Sequence, residues 1–162
     1  MQKITPFLWF DTSAEEAINF YVSIFKHSKI VSIKRYPDGP LEGPMKGFEG
    51  KILTAVFELE GQRFMALDGG PLFRFNPSIS LYVSCETQEE VDELWSKLSA
   101  DPAAEQCGWL KDKFGVSWQI IPDILGKLMS DPDPEKSGRV TQAMMKMKKI
   151  DIAALQQAYD QK

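Results

Sequence analysis

Around Ser78 the apolar pattern that opened the chain begins a second time, and this internal repeat limits the fold more than any single motif does. A shift of 74 residues lays Phe7 on Leu81, Trp9 on Val83, Glu15-Glu16 on Glu89-Glu90, Ala17 on Val91, Phe20-Tyr21 on Leu94-Trp95 and Ile24 on Leu98. In each copy a stretch of alternating character reads as a strand, with successive side chains on opposite faces. A stretch with its apolar residues on one stripe follows and reads as a helix. Two such copies call for an α+β protein in which two half-sheets share a core and the helices lie outside.

Residues 3–10 read as the first strand, with Thr5, Phe7 and Trp9 on one face and Ile4, Pro6, Leu8 and Phe10 on the other. Pro6 has no ladder donor, which puts that end at an edge or a bulge. Asp11-Thr12-Ser13 supplies N-cap chemistry for a helix running to about Phe25. Residues 29–36 read as a strand, 37–50 as a loop punctuated by Pro and Gly, and 51–59 with 62–68 as a hairpin turning at Glu60-Gly61. In the second copy residues 78–83 read as a strand and Thr87 caps a helix through Leu98. Residues 106–121 follow as two strands joined at Asp112-Lys113-Phe114-Gly115. A third strand after this helix has room only near residues 100–105. The modules therefore run 1–70 and 77–122. The tail, 123–162, carries a turn at Asp131-Pro132-Asp133-Pro134, a helix over 142–149 rich in Met144, Met145 and Met147, and a short helix over 152–159 capped by Asp151.

The net charge is −4 and the pI about 5.1, which argues against a general nucleic-acid surface. No apolar run reaches the length of a membrane span, and the N-terminus lacks the basic start and apolar run of a secretory signal. Cys85 and Cys107 alone make no disulfide framework. The expectation is a cytoplasmic protein with reduced thiols. His27, the single histidine, sits in a charged turn that offers no partner for a nucleophile. Cys107 lies near Lys111 and Lys113, which would lower a thiol pKa, although a half-buried structural thiol fits the position as well.

The blocks PFLWFDTSAEEAINFYVSIF, GQRFMALDGGPLFRFN, QCGWLKDKFGVSWQIIP and DPDPEKSGRVTQAMMKMKKIDIAALQQAY resemble the PhnB-like branch of the vicinal oxygen chelate superfamily, which includes glyoxalase I, bleomycin-resistance proteins and dioxygenases. The resemblance covers essentially the whole chain. It implies paired βαβββ modules, a cupped eight-stranded mixed sheet and, commonly, a homodimer. Members often carry the description 3-demethylubiquinone-9 3-methyltransferase. This chain has no strand, Gly-rich loop and helix in succession to take S-adenosylmethionine.

In metal-using relatives the ligands come from the first and last strands of each module. Those positions fall here near Ile4, at Met65 or Ala66, at Ser78 and at Gln119. Gln119 alone cannot hold a divalent cation, so the expectation is no metal and no other cofactor. If Gln119 looks into the cup, Ser117 does too, with Leu8 and Phe10 from the first strand and Ser78, Ser80 and Tyr82 from the fifth. Trp109, Phe73 and Phe75 then stand at the mouth. Asp68 reads as a turn residue or as a ligand contact. Such a site suits a planar or amphiphilic small molecule. The reading is a metal-free binding protein. A metal-dependent lyase, isomerase or dioxygenase of the same fold is the alternative, and a methyltransferase ranks last.

Overall fold

The computed structural model describes residues 2–161, and its chain divides into two units, 1–75 and 76–162. In the first unit β1 (Phe7–Phe10) leads into α1 (Ala14–Ile24), β2 (Lys29–Arg35), β3 (Ile52–Leu59) and β4 (Gln62–Asp68). The four strands form one sheet in the order β1-β4-β3-β2, with β1 parallel to β4 and the other pairs antiparallel. β1 starts later than the sequence suggests because the ladder starts at Pro6, whose carbonyl accepts from Met65 N–H at 2.9 Å. The β3–β4 turn uses two left-handed residues, Glu60 at φ 46° and Gly61 at φ 79°, the geometry that matches strand twist in a two-residue hairpin.

α1 buries Ala14, Ala17, Ile18 and Tyr21, one stripe at helical spacing. It lies against β3, with β2 and β4 to either side. Fully buried small residues on both partners, Ala14 and Ala17 on the helix and Ala55 and Ala66 on the sheet, allow a close approach. Ser13 occupies the N-cap position but makes no side-chain cap bond. Asp68 does that work instead, its Oδ1 accepting from Ala14 N–H at 2.8 Å. The Asp11-Thr12-Ser13 cap expected from the sequence is thus replaced by a carboxylate from the end of β4.

In the second unit β5 (Ser80–Cys85), α2 (Gln88–Leu98), β6 (Trp109–Lys111) and β7 (Ser117–Pro122) are followed by α3 (Asp123–Met129), α4 (Pro134–Met145) and α5 (Ile152–Asp160). The sheet order is β5-β7-β6, with β5 parallel to β7 and β6 antiparallel to it. Thr87 caps α2 as its sequence implies, accepting from Glu90 N–H at 3.2 Å, and Glu90 reaches back to Glu86 N–H at 2.8 Å. Asp112 organises the β6–β7 turn. Its Oδ1 accepts from Phe114 and Val116 N–H, and its Oδ2 accepts from the Trp118 indole at 2.8 Å.

The described residues hold seven strands, four in one sheet and three in the other, where two full modules would give eight. The place for a third strand after α2 holds a 3₁₀ turn, Pro102–Ala104, whose start is fixed by Asp101 accepting from Ala103 N–H. The fold class is α+β, as the repeat implied.

The phase of the repeat needs one correction. Leu8 and Phe10 pair with Ala66 and Asp68 on the face that α1 covers, and Leu81 and Val83 pair with Trp118 and Ile120 on the face that α2 covers. The strands therefore superimpose at a shift of 73 (Leu8 on Leu81), one residue less than the 74 (Ala17 on Val91) that aligns the first helical turns. A slip of one residue exchanges the two faces of a strand. Phe7 and Trp9 consequently lie on the face away from the helix.

The tail differs from its expected form as well. α4 ends at Met145, and residues 146–151 are not helical. The carbonyls of Met147 and Lys148 accept from Cys107 and Gly108 N–H at 2.8 and 2.7 Å, so they are committed outside any helix. Asp151 caps α5 through Ala154 N–H, as its position suggested. A small core of Ile121, Leu125, Leu128, Val140, Ile150 and Leu155 joins α3, α4 and α5 to the end of β7, with Met144 and Met147 packed on it.

Candidate functional site

The open face of the second sheet gathers five of the candidate residues. The strand pairs place Ser80 beside Ser117, and Tyr82 and Trp109 on either side of Gln119. All five alternate with Leu81, Leu110, Trp118 and Ile120, which face α2. Gln119 Nε2 donates to Ser80 Oγ at 2.9 Å, which orients the amide across two strands. Ser117 is buried, Gln119 and Trp109 are half-buried, and Tyr82 is exposed. Although Tyr82 is 59% exposed, partial desolvation of its phenol, and secondarily the charge of Asp123, raises its pKa above the ordinary value.

Lys111 shares this face through its pairing with Ser117 and was not among the sequence candidates. Its ammonium lies 2.6 Å from Asp101, and hydrogen bonding to Lys111 lowers the Asp101 pKa. The sequence did carry a signal for it, because Lys111 is two positions from Trp109 in the same strand. Ser78 falls outside β5, where its N–H and hydroxyl both bond to Asn76 Oδ1.

The remaining candidates belong to the first unit. Phe10 is buried on the α1 side of the sheet, and Leu8 shares that side by register, because parallel pairing with β4 sets their phase. Asp68 is buried and structural: besides Ala14 N–H it accepts from Ile52 N–H at 2.9 Å, so both carboxylate oxygens are engaged. Phe75 packs on Phe10 with ring centroids 5.2 Å apart. Phe73 is exposed and meets Trp9 edge-on at 4.9 Å. Trp9, on the open face of this sheet, donates its indole N–H to Gly70 O at 3.0 Å and lies over Gly69, where a Cβ would come within 2.3 Å of the ring. Its place on that face depends on the β1–β4 register, which a single strand does not reveal.

The donor sets for a divalent metal and for a methyl donor, the two groups the sequence resemblance raised, do not fit these residues. Ile4 and Ala66 carry no donor atom, Met65 offers only a soft thioether and the Ser78 hydroxyl is bonded to Asn76, so the Gln119 carbonyl oxygen would stand alone as a donor for a divalent cation. Among the described residues no three His, Cys, Asp or Glu side chains gather as a metal site. The β1–α1 connection, Asp11-Thr12-Ser13, and the β5–α2 connection, Glu86-Thr87, contain no glycine, and the first N–H of α1 already serves Asp68. Neither helix start is a free anion cradle of the dinucleotide type. No helix among the described residues is long and apolar enough to cross a membrane.

The sequence pattern described as 3-demethylubiquinone-9 3-methyltransferase matches residues 2–121. Among solved structures, the PhnB protein from Bacillus cereus is 47% identical, matches over 75% of this chain and 99% of its own, and superposes with a TM-score of 0.63. A Pseudomonas aeruginosa protein, 20% identical over 75% of this chain and 98% of its own, superposes with a TM-score of 0.59, a likeness of fold alone. No curated protein matches. With that pattern spanning both sheets and a PhnB protein this similar, the chain belongs to the PhnB-like family described as 3-demethylubiquinone-9 3-methyltransferase.

Proposed function

We propose that this protein is a metal-free small-molecule-binding protein of the vicinal oxygen chelate class, cytoplasmic and homodimeric, that receives its ligand on the Gln119 face of the second sheet. The observation that carries this reading is the Gln119–Ser80 hydrogen bond, set between Tyr82 and Trp109. The amide spends one hydrogen on Ser80 and keeps its carbonyl oxygen for a donor on the ligand. Trp109 offers a flat apolar surface with an indole N–H at its edge, and Tyr82 a phenol. Apolar walls with a few oriented polar groups suit a planar, largely uncharged molecule.

Methyl transfer, which the family's description names, draws no support from these residues, because among the described residues no glycine-bearing turn leads from a strand into an α-helix. Metal-dependent chemistry would need donors that the strand positions do not supply.

Native mass spectrometry of the purified protein, with elemental analysis alongside, tests the reading. A dimer mass with a co-purifying small molecule and no stoichiometric metal is the expected result. Near-stoichiometric Ni, Zn, Mn or Fe would overturn the metal-free reading. Gln119→Ala should weaken binding of that molecule while leaving the melting temperature unchanged; a large drop in melting temperature would make Gln119 a structural residue.

A further inference from the structure

The family pattern ends at residue 121, and the segment between α4 and α5 lies beyond it. We infer that this segment, residues 146–151 with the helix ends Met145 and Ile152 that flank it, is a positioning strap for the candidate ligand face: it sets the place of Trp109 and, through Gly108, that of Gln119. The inference rests on the reading of that face as the ligand site.

The turn before Trp109 closes on itself, with Gln106 and Trp109 exchanging N–H···O bonds at 3.2 and 2.8 Å, and it is braced from outside as well. Cys107 has φ 50° and Gly108 φ 82°, and the left-handed region is costly for a residue with a side chain. Outside support comes from the strap at three points. Gln106 Nε2 donates to Met145 O at 2.8 Å, Cys107 N–H to Met147 O at 2.8 Å, and Gly108 N–H to Lys148 O at 2.7 Å. The turn passes this support to the sheet. Gly108 O accepts from Ile120 N–H at 2.8 Å, beside Gln119, and Trp109 N–H donates to Gln106 O at 2.8 Å. Gly108 has no room for a side chain: a Cβ there would come within 2.4 Å of Ile121 Cδ1 and 3.2 Å of Ile150 Cγ1. Ile150 of the strap thus packs directly on the residue that precedes Trp109.

The strap is pinned on its other side by α2. Gln88 accepts from Ile152 N–H at 2.8 Å and donates to Ile150 O at 3.1 Å, and Lys149 pairs with Asp92 at 2.6 Å. Gln88 therefore fixes the strap from the helix that covers the opposite face of the sheet, without a place on the ligand face itself.

The test uses the full chain carrying Gln88→Ala, with Nile red as a planar, uncharged probe well below the melting temperature. Nitrogen-15 NMR follows the Trp109 indole and the Gln119 side-chain amide, with the Trp118 indole, held by Asp112, as internal control. The expected result is a shift of the Trp109 and Gln119 signals, an unmoved Trp118 signal and several-fold weaker probe binding. A variant that melts lower but keeps both signals and the probe affinity would make the strap merely structural and overturn the inference. If Gln88→Ala does not fold, Gln88→Glu, which keeps the acceptor for Ile152 and loses the donor to Ile150, gives the same readout. Gln119→Ala measured in parallel separates the two claims. Unchanged probe affinity there overturns the ligand-face reading, while the Gln88 variant's signals still decide whether the strap positions Trp109.

Discussion

Asp68 carries more of the first unit than its place before Gly69-Gly70 suggests. One oxygen holds the first N–H of α1 and the other holds Ile52 N–H at the start of β3. Asp68→Asn leaves one oxygen and turns an NH2 group toward a buried donor. Losing a charge-assisted bond and stranding an N–H should cost about 3 kcal/mol in urea unfolding. From sequence the residue read as a turn or a ligand contact, because partners at positions 14 and 52 leave no local trace. Asp112 escaped for a different reason: its partners, Phe114, Val116 and Trp118, are close in sequence, but only the folded turn brings their N–H groups onto one carboxylate. Cys85 makes a prediction about alkaline pH. Burial pushes its thiol up to about 12 from an ordinary 9.0. Between those values the unfolded chain has lost the proton and the folded chain keeps it. This contribution is whole below pH 9.0 and declines as pH rises, by at most about 1.4 kcal/mol per unit. Cys85→Ala should flatten the alkaline limb of the stability curve. In the wild type a thiol reagent should label half-buried Cys107 first.

α1, α2 and α5 were legible because each carries its own stripe, and α2 and α5 their own caps, whereas α4 starts eight residues earlier than the 142–149 expected. Strand faces were less so. The repeat was visible at a shift of 74, yet the strands obey 73, since the two strand–helix connections differ by one residue. That single residue moved Leu8 and Phe10 from the expected ligand face to the helix side and brought Trp9 to the open face. The Gln119 strand escaped this error because its phase was read directly from Val116 to Ile121 rather than through the repeat. α3 was not foreseen, being only seven residues long with Gly126 inside it. The tail core gives the prediction that belongs here. Deleting residues 139–162 removes Val140, Ile150 and Leu155 and leaves Ile121, Leu125 and Leu128 uncovered. Each lost aliphatic side chain represents about 1.5–3 kcal/mol of burial, so three approach the stability of a small domain. The truncated chain should bind a hydrophobic dye strongly and melt far lower; an unchanged melting curve would refute the tail's role.

The assembled protein has apolar side chains exposed in both units, among them Ile4, Phe7, Leu72, Phe73 and Ile79. In the proposed homodimer a second copy of the chain covers part of this surface. Sedimentation equilibrium should give twice the 18.3 kDa chain mass, and a concentration-independent monomer would refute it. The Asp68 bridge also governs the order in which the first unit can be made. α1 has eleven residues, too few to persist alone in water, and its own N-cap residue gives it no side-chain bond. Both β1 and the start of α1 wait for β4, synthesised more than fifty residues later. During translation β1 and the start of α1 therefore have no docking partner until Asp68 emerges, whereas the β2–β3 pair can form ahead of it.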